Sequence, residues 1–343
     1  MTYQRKILLT GAGAPGGVGI IKELVRAGHF VVGTDINPFA SGREFCHDYF
    51  VNKGPRKFDF LDDMCSAATE RSIELLVPLV TLELDLFAEN KRRFESSGIK
   101  VLVNDYESLF TINDKGKLYQ KFADTEFIPK YQIAKNPSEL FDAISEFIIR
   151  DSVCVIKPCV SNGSRGVRIV RRDYDPFDSL LYSKPGDLQI GHEQILQIFN
   201  GKDIPDYIVS EYMPGSEYTC DVVFNDGAVE LALVRKRIEM RLGISTAGEF
   251  INNSPFIKHI TYIGQKLNLS GPVGFQFKES AQGDMKLLEI NPRFQGTSVS
   301  ARGLGINYPD FVIRNEFGDP QDILPDVLSG VKFSRFYDEV FYK

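Results

Sequence analysis

The sequence predicts a mixed fold class, α/β in its first part and α+β in its second. Three observations predict it. Residues 6–10, KILLT, read as a buried strand that runs into a glycine loop and an apolar-periodic helix; HFVVGTDI then follows as a second strand ending at Asp35, completing a β-loop-α-β unit. Strand and helix keep alternating to about residue 105, the pattern of a parallel sheet. From about Asn113 the style changes, with helices and strands at first and an antiparallel meander and hairpin later.

Each element has its own signal. ERSIELLVPLV holds a strand ending at Pro78, LELDLFAENKRRFESSG reads as a helix closed by Gly98, and IKVLVND as a further strand. A domain boundary is expected near 105–112. NDKGKLYQKFADT reads as a helix with Asp114 near its start, and FIPKYQIAKNPSELFDAISEFI as strand, turn and amphipathic helix. SVCVIKPCV is a strand, SNGSRG a loop and VRIVR a strand, with the next strand starting at Val167. Residues 173–205 are polar, with Pro and Gly, and carry one or two helices. DYIVSEYMPGSEYTCDVVFNDGAVELALVRKR reads as an antiparallel meander turning at Asn225, Asp226 and Gly227. A helix near 255–268 precedes a hairpin made of GFQFK and MKLLEI, turning near Gln282 and Gly283.

Composition narrows the function classes. The 343 residues are enough for two or three domains and a large core. A net charge of −6 and a pI of about 5.4, without a basic tract, argue against binding nucleic acid through its phosphates. No apolar run is long enough to span a bilayer, and the apolar stretch near the start ends in a glycine loop, not a cleavage site, so a cytoplasmic protein is expected. Cys46, Cys65, Cys154, Cys159 and Cys220 form no C-x-x-C pair and are expected to be reduced thiols. Four scattered histidines do not suggest a His-based metal site.

The most informative stretch is LLEINPRFQG, residues 287–296. Read as a strand, Glu289, Asn291 and Arg293 project to one face, with Leu288 and Ile290 on the other. A carboxylate, an amide oxygen and a guanidinium then line up. Hard cations such as Mg²⁺ take oxygen ligands and share phosphates, and arginine forks onto phosphate or carboxylate. If Gln282 and Gly283 form the loop, Gln276 sits opposite Glu289 on the same face. The other reading is a solvated hairpin face.

Two glycine loops need weighing. TGAGAPGGVG follows a strand and opens a helix, with Asp35 about twenty residues on, which fits a dinucleotide-binding turn loosely through Gly11, Gly13 and Gly16. It fits a tight turn with close helix packing as well. The loop also resembles the entrance of short-chain dehydrogenases, whose Tyr-x-x-x-Lys pair would need a helix. Tyr49/Lys53 comes too early, and Tyr131/Lys135 falls in a predicted strand. In the second loop, Lys157 ends an apolar strand and faces SNGSRG, whose Gly163 and Gly166 let backbone N–H groups cradle phosphates; a flexible hairpin tip is the alternative.

Taken in order, these stretches resemble the ATP-grasp superfamily, in particular its carbamoyl-phosphate-synthase-like branch, over most of the chain. The resemblance implies a Rossmann-like pre-ATP-grasp domain at 1–110, in which residues 33–50 and 78–94 resemble the stretches after the second and fourth strands. A two-subdomain ATP-grasp fold would follow at 111–343, about 111–208 carrying the mobile glycine loop and about 209–343 the metal-binding hairpin. The leading domain would then help bind the non-nucleotide substrate and not NAD. NDKGKLYQKF resembles the family's first nucleotide lysine, here Lys115, and CVIKPCVSNGSRGV its second, Lys157, with Ser164 and Gly166 in the loop. VSEYMPGSEYTCDVV resembles the hinge, so Glu211, Tyr212 and Met213 would line the adenine edge and Glu217 would hold the ribose hydroxyls. Gln276, Glu289 and Asn291 match the holders of two Mg²⁺ ions, with Mn²⁺ as a substitute, and Arg293 the grip on the γ-phosphate and acyl phosphate.

One ATP-grasp unit is visible where carbamoyl-phosphate synthase has two, with no glutaminase or biotin-attachment sequence. Relatives place basic groups near the acyl phosphate within RKRIEMRLGISTAGEF. Arg235, Arg237 and Arg241 are candidates there, the last two spaced for one helix face or for a solvated surface. Arg302 could hold a substrate carboxylate or serve structure. The activity implied is an ADP-forming ligase that activates a carboxylate as an acyl phosphate for attack by an amine, catalysed by Lys157 and Arg293, with ATP and Mg²⁺. Its partners would be small molecules, with no nucleic acid and no membrane; a homo-oligomer is compatible. The alternatives are a carbamoyl-phosphate-synthase-like subunit using bicarbonate or ammonia with a partner chain, a non-enzymatic nucleotide-binding module, and an NAD(P)-dependent oxidoreductase.

Overall fold

The protein is described by a computed structural model covering residues 3–161, 163–183, 186–241, 243–325 and 329–341; Asn162 of the second glycine loop and Leu242 beside the basic run lie outside it. Among the described residues the strands form three sheets. The first contains β1 (Lys6–Thr10), β2 (Phe30–Asp35), β3 (Asp48–Val51), β4 (Leu75–Val77) and β5 (Lys100–Val101), all parallel in the order β3-β2-β1-β4-β5. It is flanked by α1 (Gly17–Arg26), α2 (Phe60–Glu70), α3 (Thr81–Glu89), α4 (Lys91–Ser96) and α5 (Tyr106–Ile112). The stretch read as one helix up to Gly98 is two, broken at Asn90, whose amide side chain bonds back to the Leu86 carbonyl at 2.9 Å. The expected strand IKVLVND shrinks to β5, since its parallel partner β4 is itself short.

Next comes α6 (Lys115–Lys121), capped by Asp114, whose carboxylate accepts from the Gly116 and Lys117 N–H groups at 2.8 and 3.1 Å. The second sheet has β6 (Tyr131–Ala134), β7 (Val153–Pro158), β8 (Arg168–Arg171), β9 (Gln189–Gly191) and β10 (Tyr207–Glu211), in the order β6-β10-β7-β8-β9. Helices α7 (Pro137–Asp151) and α9 (His192–Phe199) cover it, with α8 (Pro176–Tyr182) exposed beside them. The third sheet is antiparallel: β11 (Glu217–Asn225), β12 (Ala228–Arg241), β13 (Ile244–Ile251), β14 (Gly271–Glu279), β15 (Met285–Asn291) and β16 (Lys332–Ser334), ordered β15-β14-β11-β12-β13-β16. α10 (Ser254–Leu267) packs on one face and α11 (Tyr308–Phe317) on the other. The expected meander is confined to β11–β13. β10 instead pairs with β6 and β7, and Pro214-Gly215 lies in the crossing from one sheet to the other.

Packing joins the first and third sheets. Ile7, Leu9, Val31 and Val77 share one core with Val223, Leu233, Phe250 and, from α11, Tyr308 and Ile313. The other face of β11 and β14 buries Cys220, Val222, Phe275 and Phe277 against Leu118 of α6 and Ile260 of α10. The second sheet keeps a core of its own, built from Leu140, Ile144, Phe147, Ile156 and Val170 among others. No helix among the described residues is long and apolar enough to cross a membrane.

Candidate active site

The candidate site lies on the polar face of the third sheet. Side chains alternate along β11 and β14, so the row that excludes Tyr218, Phe275 and Phe277 presents Glu217, Thr219, Gln276 and Lys278. Gln276 stands opposite Glu289, the register the sequence predicts. The route to that register differs, however. The turn spans residues 280–284, closed by the Ser280 N–H on the Asp284 carbonyl at 2.9 Å, and pairs near it are offset by one from those at Gln276. A bulge at Leu288 absorbs the offset. Leu287 and Ile290, not Leu288, are therefore the buried residues of β15.

The bulge has a chemical consequence. The Leu288 carbonyl accepts from Lys157 Nζ at 3.1 Å, and Lys157 Nζ also donates to the Tyr119 oxygen at 2.8 Å, whose hydroxyl donates to the Leu287 carbonyl at 2.9 Å and lies 3.2 Å from that of Leu288. Lys157 is 7% exposed; burial, with Lys115 close by, pulls its ammonium down to about 7, against the opposing pull of Glu289. Lys115 Nζ donates to the Ser161 carbonyl at 2.8 Å and lies 3.6 Å from the Glu289 carboxylate. Asn291 turns its amide nitrogen to Glu289 at 3.1 Å. Two lysines and a carboxylate from three distant segments thus meet at one point.

Arg293 lies beyond the end of β15 and so does not share the strand face with Glu289 and Asn291 as the sequence suggests. Its guanidinium donates to the Thr81 hydroxyl at 3.1 Å, at the start of α3, and to the Phe294 carbonyl at 2.8 Å. Burial draws its pKa down while Glu289 opposes this. The second glycine loop runs beside this site. Ser164 has φ +59° and Gly166 φ +76°, and a Cβ on Gly166 would stand 2.6 Å from the Pro158 ring. In the segment expected to be the hinge, the Glu211 carboxylate accepts from the Lys130 N–H at 2.8 Å, Tyr212 lies under Arg171, and Met213 is buried. Glu217 forms ion pairs with Arg237 and, at 3.7 Å, with Lys278.

The basic run is strand, not helix. Arg235 and Arg237 lie on one face of β12 by the period of two, and register shifts follow Arg237. Arg235 is buried against Asp221 and donates to the Thr297 carbonyl at 3.0 Å; burial raises the Asp221 carboxyl while Arg235 opposes the shift. Arg241 stands beside the Tyr337 ring, and Arg302 is exposed, 3.9 Å from Glu23. The first glycine loop is closed on itself: Asp35 accepts from the Gly13 N–H at 2.9 Å and the Asn37 N–H at 3.0 Å, using the carboxylate that a dinucleotide ribose would need. A Cβ on Gly16 would stand 3.0 Å from Gly296 Cα, so this loop packs onto the turn after Arg293. Sequence reading did not single out Tyr119, Thr81 or Glu83. Tyr119 follows Lys115 by one helical turn, which is a usable signal; the other two have none.

Known proteins share this fold. A family model described as ATP-grasp in the biosynthetic pathway with Ter operon matches residues 203–336, and one described as the PylC-like N-terminal domain matches residues 7–102. None of the curated proteins matches. Among solved structures, the ADP complex of purK, an N5-carboxyaminoimidazole ribonucleotide synthetase, is similar with a TM-score of 0.68 at 13% identity, over 92% of this chain and 78% of that one. A biotin carboxylase from Campylobacter jejuni gives 0.66 at 15%, over 93% and 72%, and an L-amino acid ligase from Bacillus licheniformis 0.64 at 13%, over 91% and 73%. At such identities the likeness is one of fold. The chain is thus similar to ATP-grasp proteins in two stretches, one like the PylC-like N-terminal domain and, after it, one like the ATP-grasp domain.

Proposed function

We propose that this protein is an ATP- and Mg²⁺-dependent ligase that converts a small-molecule carboxylate into an acyl phosphate and joins it to an amine, releasing ADP and phosphate. The observation that carries the reading is the meeting of Lys115, Lys157 and Glu289 opposite Gln276, with Arg293 reaching from that cleft to Thr81 of the leading domain. The donor chemistry fits a hard cation. Glu289 offers a carboxylate and Gln276 and Asn291 offer amide oxygens, a sparse set suited to an ion that also takes phosphate oxygens. Bound there, Mg²⁺ would neutralise charge developing on the transferred phosphoryl group. Lys115 and Lys157 add positive charge beside the phosphates, and Arg293 adds it toward the acyl group. Ser164 and Gly166 would bring backbone over the phosphates and exclude water from an intermediate prone to hydrolysis. The segment from Glu211 to Met213 would meet the adenine and Glu217 the ribose.

The likeness to an L-amino acid ligase and to an ADP-bound synthetase supports ligation over the oxidoreductase reading, as does the engagement of Asp35 by its own loop. We place the reaction in the cytoplasm, in keeping with five free cysteines. The test is ADP release screened over carboxylates crossed with amines, alongside thermal stabilisation by Mg·ATP. Glu289→Ala is expected to abolish ADP release while the ligand-free melting temperature stays near that of the wild type. Turnover at the wild-type rate in that variant would remove Glu289 from the metal site.

A further inference from the structure

Arg237 stands between the two ends of the nucleotide cleft. On β12 it pairs directly with Glu217 of β11, and the neighbouring row of β11 pairs Thr219 with Gln276 of β14. The side chain is only 4% exposed, and acceptors surround it. It donates to the Glu217 carboxylate, to Gln276 Oε1 at 3.2 Å, to Ser245 Oγ at 3.0 Å and to the Gly243 carbonyl. Gly243 lies in the turn between β12 and β13, and a Cβ there would be 3.2 Å from Ser164 Oγ of the second glycine loop. One guanidinium therefore touches the proposed ribose residue, a proposed metal ligand and the turn beside the phosphate loop.

Gln276 gives this geometry its meaning. An amide presents an oxygen that accepts and a nitrogen that donates, and only the oxygen can bind a cation. A guanidinium can only donate, so its bond to Gln276 excludes the rotamer with nitrogen in that position. The oxygen keeps a second lone pair for the cleft. A carboxylate at this site would have no such ambiguity; a glutamine needs a partner to settle it. Groups behind a metal ligand commonly set its orientation and affinity in this way.

Resting on the ATP-grasp reading above, we propose that Arg237 is a positioning residue that fixes Gln276 with its amide oxygen available to the metal and holds Glu217 at the ribose end, so that one side chain sets both ends of the nucleotide site.

Calorimetric titration with Mg·ATP, and with ATP in the presence of chelator, tests this on the full chain. Arg237→Met is expected to weaken Mg·ATP binding about 10- to 100-fold, with a smaller loss for metal-free ATP. Adding Gln276→Glu, which presents oxygen in either rotamer, should recover most of the metal-dependent loss. The recovery should exceed whatever Gln276→Glu gains with Arg237 in place. Arg237→Lys, which keeps charge and bulk but cannot reach all four acceptors, carries the same expectation if the methionine variant does not fold. Unchanged Mg·ATP affinity in a folded variant overturns the proposal. So does an equal loss with and without metal that Gln276→Glu fails to recover, the signature of a merely structural arginine. A wild-type chain that does not bind Mg·ATP would instead overturn the ATP-grasp reading beneath it.

Discussion

Glu83 sits in the first turn of α3, beside the Thr81 that receives Arg293, with its carboxyl against the Thr10 hydroxyl. Burial pushes it up to about 8 from 4.5; the Thr10 bond opposes this and Asp35 adds to it. Between pH 4.5 and 8 the folded chain keeps a proton that the unfolded chain releases, so the stability tied to this group falls with rising pH and is lost on passing 8. Glu83→Gln should flatten the dependence of melting temperature on pH in that window and exceed the wild type at pH 9; parallel curves for the two proteins would exclude Glu83 as the protonated group. Lys157 behaves in the opposite sense. Free, it is largely neutral above about 7, and a bound polyphosphate would recharge it. Nucleotide binding at pH 8.5 should therefore take up close to one proton, and affinity should fall as pH rises from 7 toward 10.5. Titration calorimetry in buffers of differing ionisation enthalpy reads that proton directly, and zero uptake would mean that Lys157 does not face phosphate. Lys157 and Glu289 are legible in the sequence because each interrupts an apolar strand. Glu83 is not, because its partner Thr10 and the surfaces that bury it come from distant parts of the chain.

At the level of elements, the β14–β15 hairpin shows how a correct register can follow from an incomplete turn. Alternation in GFQFK and MKLLEI places Gln276 opposite Glu289, yet the five-residue turn alone would shift that pairing by one. Leu288 restores it, and no residue type at that position announces a bulge. Deleting Leu288 should regularise the strand, leaving Glu289 opposite Gln276 but removing the carbonyl that receives Lys157. A folded variant with Mg·ATP affinity reduced at least tenfold is the expected result; full affinity would mean that the carbonyl does not hold Lys157 in place. The cap of α6 makes a simpler case. Asp114→Ala should lose about 1 kcal/mol of stability in denaturant titration and weaken nucleotide binding, because the helix it starts carries both Lys115 and Tyr119. The basic run carries a misleading spacing. Arg237 and Arg241 are four apart, which suits a helix face, and only the strands on either side of β12 reveal that period two governs them.

In the whole molecule, burial divides the chain differently from its order along the sequence. The first and third sheets share a core in which Ile7 and Leu9 meet Leu233 and Ile313, so these distant segments should unfold together. Arg335, after β16, adds a bond to the Pro15 carbonyl at 2.7 Å and ties the first glycine loop to the same body. The second sheet has a core of its own under α7 and α9, and its other face adds Ile208 of β10 to the core of the third sheet. The order of first glycine loop, Lys115, Lys157, the segment Glu211 to Met213 and the Gln276–Glu289 hairpin along the sequence is enough to indicate the architecture. The shared core is not legible there, because an apolar face does not say which sheet will cover it. Hydrogen exchange should resolve the two bodies. Without nucleotide, amides of β7, β8 and β10 should exchange through an opening less costly than global unfolding, while β1, β4, β11 and β14 exchange only at the global limit. On the proposed function Mg·ATP would bridge the bodies through Lys157 on one side and Glu289 and Gln276 on the other, and should slow exchange in β7 and β10 more than in β1. Equal protection of all three sheets without ligand would show that the second sheet is not a separate cooperative unit. Equal slowing everywhere on adding Mg·ATP would show that the nucleotide does not bind between them.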